Sequence, residues 1–255
     1  MYNFKSLTFD DFIYNGKKLS SFGGYVGSAD GGIKTYSLLP TRSYVTDKPL
    51  KSDITTVYDS SFEPRLFEVP LVFEELTDGK VRELAMWLDS PTSSKFQWVG
   101  DTVYINASLD STDFDFATSS GRDGQIPIKF ICHDPFYYDL NQTQYTLTSP
   151  VSGQVYSYAN NGYGEIAPYL TITCSGTVKV EILDSSNKVY TTTNITNITG
   201  GVKINSETLT CTLLSGASHF AYIDNFPMIP QGKFSLKVTG SSLTKIVLGY
   251  RQRYI

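Results

Sequence analysis

Residues 77–98 contain the one helical pattern in a sequence that otherwise alternates like β-strands. Apolar residues recur there with the spacing of one helix face, at Val81, Leu84, Ala85 and Leu88. Thr77 and Asp78 can accept the free N–H groups of the first turn, and Pro91 disfavours helical geometry in the residue before it. We therefore predict a helix over residues 78–89, packed on a sheet that includes the strand-like residues 96–99.

The residues on either side of this helix predict the strands of an N-terminal β domain. Asn15-Gly16 is typical of a tight hairpin turn. Residues 67–74 alternate apolar and polar, and Pro70 within them indicates a sheet edge or a bulge because proline cannot donate to a ladder. Residues 102–109 and 125–132 are predicted to be partner strands.

The second half of the chain predicts a separate all-β domain. A polar stretch after Tyr138 places the boundary near residue 140, which gives domains 1–140 and 141–255. In the second domain, short alternating segments between turns rich in Gly, Ser and Asn predict an antiparallel β-sandwich. In the first domain, residues 33–61 are polar and alternate weakly, so we expect an extended arm there. The fold class expected is mainly β, with one packed helix.

Composition and charge exclude several classes of function. A net charge of −4 without a Lys/Arg-rich run lacks the electrostatic footprint of a specific nucleic-acid binder. No apolar stretch approaches the ~20 residues needed to span a bilayer, which argues against a membrane protein. Residues 1–5 lack the apolar segment of a signal peptide, so we expect folding in the cytoplasm.

Cysteines and histidines do not form a recognisable metal or catalytic pattern. Cys132, Cys174 and Cys211 are too widely spaced for a zinc site and are expected to be reduced, buried thiols, although Cys174 and Cys211 could meet across a sandwich. His133 and His219 lie in no motif that would bring a base or a ligand pair together, so both are expected to be structural or surface residues. We predict no cofactor and no metal.

Acidic side chains offer only weak support for an enzyme. The closest carboxylate pairs are Asp10-Asp11, Glu74-Glu75 and Asp113 with Asp115. A glycosidase needs two carboxyl groups held across the scissile bond, and sequence neighbours do not establish that arrangement. We therefore predict a protein that is not an enzyme and has no catalytic residues.

Three tyrosines at the start of the predicted sandwich suggest an alternative function. Tyr156, Tyr158 and Tyr163 are close in sequence, and exposed aromatic rings can stack on sugars. Tyrosine suits strand pairing and protein contacts equally well, so these residues are candidate ligand or partner contacts. The alternative function is a carbohydrate-binding module that attaches to a bacterial surface polysaccharide.

Taken in order along the chain, several motifs resemble the distal tail protein (Dit) family of long-tailed bacteriophages with non-contractile tails. The N-terminal motifs are Phe22-Gly23-Gly24-Tyr25-Val26, the Phe- and Val-rich strand 65–73, Trp87-Leu88 at the helix end, and Asp134-Pro135-Phe136-Tyr137-Tyr138. The C-terminal motifs are Asn161-Gly162 before residues 167–172, Ala221-Tyr222-Ile223-Asp224, Ile229-Pro230-Gln231-Gly232, and the closing segment 246–254. These motifs extend over nearly the whole chain.

The resemblance implies a structural role at the tip of a virion tail. The first domain would form a hexameric ring, seated on the tail tube protein on one side and on a tail-associated hub protein on the other. The second domain would be a galectin-like or carbohydrate-module-like sandwich that projects outward and carries receptor-binding proteins. DNA would pass through the ring without specific binding, and the arm at 33–61 would order on contact with a partner at an entropic cost.

Overall fold

The chain divides into two compact units, Met1–Tyr137 with Ile255 and Tyr138–Tyr254. The computed structural model describes residues 11–27, 40–47, 56–73, 77–110, 117–118 and 124–255. Both units are built mainly from β-strands, and the described residues contain one α-helix, so the predicted fold class is confirmed. The carboxylate pairs predicted from the sequence fall, except for Asp11, outside the described residues.

The N-terminal unit is a curled antiparallel sheet with a helix packed on it. Its strands are β1 (Phe12–Tyr14), β2 (Lys17–Lys18), β3 (Gly24–Val26), β4 (Arg42–Asp47), β5 (Thr56–Phe62), β6 (Arg65–Phe73), β7 (Ser94–Trp98), β8 (Val103–Leu109), β9 (Ala117–Thr118) and β10 (Gly124–Cys132). The main sheet has the order β2-β1-β7-β8-β10-β6-β3. Asn15 and Gly16 form the predicted hairpin turn, since both have positive φ and β1 pairs with β2 across them.

The helix α1 spans Asp78–Leu88 and begins as the sequence predicts, because the Thr77 side chain accepts a hydrogen bond from the Lys80 N–H. Its buried face differs from the prediction. Leu84, Trp87 and Leu88 enter the core, whereas Ala85 is exposed. Trp87 fixes this rotation of the helix, because its Nε1–H donates to the Tyr14 carbonyl at 2.7 Å and its ring stacks on Phe12.

Pro70 does not lie on an edge strand, contrary to the prediction. Strand β6 is paired on both sides, with β10 over nine residues in continuous register and with β3 over three. Pro70 faces Pro127 directly in the β10 ladder, and its carbonyl accepts from the Gly27 N–H at 3.1 Å on the β3 side. The missing N–H therefore points to the side where the β3 ladder ends, so no ladder bond to β10 is lost.

The predicted arm at residues 33–61 is only partly described, and the part that is described has regular structure. Strands β4 and β5 pair with each other from Arg42↔Phe62 to Asp47↔Thr56, with a bulge between Val45 and Thr46. At the base of this hairpin the Glu63 N–H donates to the Thr41 carbonyl at 2.9 Å. The sequence alternates only weakly here because the ribbon has no buried face. Polar and apolar side chains therefore occur on both of its faces.

The C-terminal unit consists of two antiparallel sheets packed as a sandwich. Its strands are β11 (Tyr137–Asp139, which begins one residue before the unit), β12 (Thr143–Thr148), β13 (Val155–Asn160), β14 (Tyr169–Thr173), β15 (Gly176–Leu183), β16 (Val189–Ile198), β17 (Val202–Asn205), β18 (Thr210–Leu213), β19 (Gly232–Gly240), β20 (Lys245–Tyr250) and β21 (Arg253–Tyr254). One sheet has the order β12-β20-β14-β17-β18 and the other β13-β19-β15-β16. Alternate residues of both sheets, such as Leu170, Val180 and Leu236, form the shared core.

Two strands of the sandwich are absent from the sequence prediction. β12 covers residues assigned to a polar stretch, and β13 covers Tyr156 and Tyr158, two of the three tyrosines proposed as candidate contacts. Both are outer strands of their sheets, so one side of each ladder and much of each strand face solvent. Their high Thr, Ser and Gln content reflects that exposure.

Candidate assembly and binding surfaces

The β4–β5 hairpin exposes apolar side chains that a folded monomer normally buries. Tyr44 is 56% exposed, Val57 56% and Tyr58 66%, and Val45 is exposed beside them. Within the described residues no third strand pairs with this ribbon, so both of its edges carry free backbone hydrogen-bonding groups. A lone two-stranded hairpin is marginal in water. The described strands of the hairpin thus leave both apolar side chains and ladder groups exposed.

Aromatic contacts fix the base of this hairpin to its unit. Phe62 meets Phe136 edge to face, with ring centroids 5.3 Å apart. The Arg42 guanidinium lies over the Phe62 ring at 4.3 Å. These contacts consequently anchor the end of the hairpin that contains Arg42 and Phe62. The exposed residues of the hairpin extend from this anchored end.

A second apolar surface of the same unit lies beside the helix. A groove of about 460 Å³ is lined by Asn15, Lys17, Phe22, Glu83, Met86 and Trp87. Met86 is 72% exposed, and Phe22 stacks on Trp87 with centroids 4.6 Å apart. Met is a flexible, polarisable side chain that suits contact surfaces. The groove and the hairpin are distinct patches of one unit, which is the requirement for a head-to-tail contact between copies.

The Phe-Gly-Gly-Tyr-Val motif that carries the resemblance builds one wall of this groove. Gly23 has φ of 76° and ends the 3-10 turn Leu19–Phe22, a left-handed position that favours glycine. A Cβ on Gly24 would lie 2.4 Å from the Phe73 ring, so only glycine allows β3 to pack against β6 there. The motif thus positions Phe22 over Trp87.

The three tyrosines of the predicted ligand cluster lie in the C-terminal unit but are half-buried. Tyr158 packs on the core, with its ring 4.4 Å from that of Tyr145, and burial raises its pKa. The Tyr156 hydroxyl accepts from the Val151 N–H at 3.1 Å. Tyr163 is held through its backbone, since its carbonyl accepts from Arg253 Nε at 2.9 Å. The assumption of an exposed cluster therefore does not describe Tyr158, which is a packing residue.

A larger feature of the C-terminal unit is a groove of about 830 Å³ on the solvent face of the β12-β20-β14-β17-β18 sheet. The outward residues of β14 form its floor, namely Tyr169, Thr171 and Thr173. Lys203 and Asn205 contribute from the neighbouring strand β17. The sequence analysis missed this groove. The only sign of it in the local sequence is alternation within the strands, in which polar residues occupy every second position and apolar residues lie between them.

The groove is bounded by residues with defined partners. Glu165 Oε1 accepts from the Tyr190 hydroxyl at 3.0 Å. Arg251 donates to the carbonyls of Asp139 and Leu140. These bonds join the C-terminal segment of the chain to the end of β11. The Tyr254 hydroxyl donates to the Asp139 carboxylate at 3.1 Å, and burial together with that carboxylate raises the pKa of Tyr254 to about 12. These bonds make one end of the groove rigid.

The cysteines are free and buried, as predicted, and Cys174 and Cys211 do not pair. Burial raises the pKa of the Cys132 thiol to about 12 and those of Cys174 and Cys211 to about 11. His219 is buried, with Nε2 at 2.7 Å from the Thr196 carbonyl, whereas His133 is exposed. Among the residues that the structure describes, no three His, Cys, Asp or Glu side chains are grouped to hold a metal ion.

Comparison with known proteins agrees with this architecture. Residues 7–132 match the protein family described as "Phage tail protein N-terminal domain". No curated protein sequence matches the chain. In the part of the chain that the structure describes, no helix is long and apolar enough to cross a membrane.

Three solved structures share the fold over nearly the whole chain. SPP1 Dit (gp 19.1), described as a paradigm of hub adsorption apparatus in Gram-positive infecting phages, matches with a TM-score of 0.75 and 14% identity, over 96% of this chain and 99% of that one. The phage P2 baseplate in its activated conformation with Ca matches with a TM-score of 0.56 and 12% identity, over 95% and 97% of the two chains. The corresponding baseplate with Sr gives 0.53 and 13% over the same shares.

Residues 7–132 thus match a phage tail protein domain family, and nearly the whole chain has the β-rich fold seen in phage tail and baseplate proteins. That fold is the one found in SPP1 Dit. The resemblance drawn from the sequence motifs is thereby confirmed at the level of the fold.

Proposed function

We propose that this chain is a distal tail protein that works by closing into a hexameric ring, without catalysis. The observation that carries the proposal is the exposed apolar surface of the β4–β5 hairpin, on which Tyr44, Val57 and Tyr58 are all more than half exposed. Burying a side chain of this size contributes about 1.5–3 kcal/mol. A partner surface that covers all three side chains would therefore contribute several times that free energy to association.

The second surface in this proposal is the groove around Met86 of the next copy. The hairpin and the groove are different patches, so each copy gives one and receives one. A head-to-tail contact of this kind closes into a ring when its rotation divides a full circle. The ring also covers the free strand edges of the hairpin, which would otherwise favour open aggregation.

The remaining roles follow the division of the chain into domains 1–140 and 141–255. The first domain would contact the tail tube protein and the tail-associated hub protein. The second would carry receptor-binding proteins on the outside of the tail tip. DNA would pass through the lumen, a role that the net charge of −4 suits because it disfavours binding of the phosphate backbone. Assembly would occur in the host cytoplasm.

Sedimentation velocity of the purified chain and two variants tests the proposed interface. Val57→Lys places a charge in the hairpin, and Val151→Lys makes the same change at a similarly exposed residue of the C-terminal unit. We expect the parent and Val151→Lys to form the ring and Val57→Lys to sediment as a monomer. Loss of the ring in both variants, or in neither, would contradict the role of the hairpin.

Mixing two defective variants tests whether the contact is head to tail. Met86→Lys damages the groove but leaves the hairpin intact, and Val57→Lys has the opposite defect. Each variant alone should be monomeric, and their mixture should give dimers that cannot grow, because only one productive contact remains per pair. A mixture that stays monomeric would show that hairpin and groove do not meet.

A further inference from the structure

We propose that the groove on the β12-β20-β14-β17-β18 sheet is a binding site for an acidic polysaccharide chain. The inference goes beyond the structural role above, because a ring would form with or without it. It also differs in location from the sugar contacts predicted at Tyr156, Tyr158 and Tyr163, which lie on or beside β13 of the opposite sheet.

The first argument is the arrangement of polar side chains on the groove floor. Strand register places Gln144, Gly249, Tyr169 and Asn205 in one row across four strands. Directly opposed residues of neighbouring strands lie about 5 Å apart. The row thus offers an aromatic ring and two amides at regular intervals. Sugars require this mixture of stacking surface and hydrogen-bonding groups.

The second argument is the set of hydrogen-bonding groups gathered around Gly249. Because Gly249 has no side chain, Gln142 and the Tyr169 ring pack closely over it, at 3.0 Å and 3.4 Å from where a Cβ would lie. The Tyr169 hydroxyl accepts from Thr171 Oγ1 at 2.8 Å and keeps its own proton to donate. A sugar lying on this surface would meet an aromatic ring and an amide side by side.

The third argument is charge. Four basic side chains line the groove against two acidic ones, in a chain whose net charge is −4. The basic residues are Lys203, Lys245, Arg251 and Arg253, and the acidic ones are Glu165 and Glu207. A local excess of positive charge on an acidic protein favours an anionic ligand.

The two lysines are the cations available to that ligand. Among the described residues neither Lys203 nor Lys245 has a hydrogen-bond or ion-pair partner, whereas the two arginines donate to backbone carbonyls. Lys203 lies on β17 and Lys245 on β20, on either side of β14, so they flank the Tyr169-Thr171-Thr173 floor. The geometry therefore suits a chain that bears anionic groups at intervals.

The volume of the groove agrees with a polymer segment. About 830 Å³ lies within the ~300–1,000 Å³ usual for ligand sites, and the groove opens to solvent along the sheet face. Nucleic acid is disfavoured, because binding of single strands relies on several stacked aromatic platforms. Of the three tyrosines that line the groove, Tyr250 is buried in the core, and Tyr169 alone projects from the floor strand.

Affinity electrophoresis of the full chain tests the proposal. The native protein is run in gels containing phosphorylated dextran, carboxymethyl dextran or unmodified dextran, which share a polysaccharide backbone but differ in anionic group. We expect retardation by phosphorylated dextran, carboxymethyl dextran or both, and none by unmodified dextran. Whichever of the two acidic polymers retards more identifies phosphate or carboxylate as the preferred group.

Two double variants with the same change in net charge separate a site from general attraction. Lys203→Gln with Lys245→Gln removes the groove lysines, and Lys188→Gln with Lys233→Gln removes two exposed lysines outside it. We expect the first pair to weaken binding about tenfold or more, as for the loss of two charge-assisted hydrogen bonds, and the second to change it little. Tyr169→Ala should also weaken it.

Three results would overturn the proposal: no retardation in any gel, equal retardation by unmodified dextran, or equal loss in the two double variants. Sedimentation of the Lys203→Gln and Lys245→Gln variant provides the control for folding and assembly. It should still form the ring, because the groove belongs to the other unit of the chain from the hairpin.

Discussion

Replacing Gly24 with alanine should destabilise the N-terminal unit more than any surface change, for a reason that the structure specifies. The new Cβ would lie 2.4 Å from Cε1 and 2.8 Å from Cζ of Phe73, and 2.9 Å from Cδ1 of Leu19. Carbon atoms need about 3.5–4.0 Å, so β3 and β6 must separate locally by roughly 1 Å or more. Phe73 and Leu19 are both fully buried in the core, so neither can turn out into solvent without losing its packing.

The expected loss follows from this overlap. Overpacking of a tight core costs about 1–3 kcal/mol, and a rigid ring at this distance favours the upper part of that range. With a urea dependence of about 1–3 kcal/mol per M, the unfolding midpoint should fall by about 1 M. Gly79→Ala is the matched control, because a Cβ there meets nothing closer than 3.9 Å inside the first turn of the helix. It should stabilise by about 0.5–1 kcal/mol.

Tryptophan fluorescence is the appropriate assay. The chain contains two tryptophans, Trp87 and Trp98, and both are buried in the core of the N-terminal unit. Urea titration followed by their emission therefore reports that unit by itself. An unchanged midpoint for Gly24→Ala would refute the packing argument. So would a Gly79→Ala variant that loses as much stability as Gly24→Ala.

Three further predictions concern other parts of the chain. The Glu181 carboxylate accepts from Lys179 at 2.7 Å and from Lys237 at 3.0 Å, and these bonds lower its pKa. The stability that the carboxylate adds should be present above its unfolded pKa of about 4.3 and be lost as the pH falls below that value. Thermal melts of the parent and of Glu181→Gln should therefore converge as the pH falls. Trp87→Phe leaves the buried Tyr14 carbonyl without its donor and should cost about 1–3 kcal/mol in urea titration, whereas normal stability would exclude a role for that bond. The three buried thiols should stay unreactive towards a disulfide reagent at pH 8 until the chain is unfolded.

Local patterns predicted the elements whose causes are local. The helix limits were predictable because Thr77 caps the first turn and residues 89–91 end the last one. The Asn15-Gly16 turn was predictable because positive φ at both positions selects those residues. The rotation of the helix was not, since Trp87 is buried through a hydrogen bond to Tyr14, far away in sequence. Tertiary contacts decided between two nearly equivalent helix faces.

The candidate surfaces were less predictable than the fold. The groove on the β12-β20-β14-β17-β18 sheet depends on strand register that brings Gln144, Tyr169 and Asn205 together from three separate segments. No local signal specifies which strands become neighbours in a sheet. Tyr158 was predicted as a candidate contact residue from its closeness in sequence to Tyr156 and Tyr163, and that closeness does not reveal that its ring packs against Tyr145. The hairpin was anticipated as an arm, but the pairing of its strands was not.

The most direct test of the central claim is electron microscopy of the purified chain in negative stain, at concentrations up to its solubility limit. The account predicts closed rings with sixfold symmetry in the parent protein and single particles in Val57→Lys. Parent protein that remains as single particles at every concentration, or that grows into open filaments, would contradict the account.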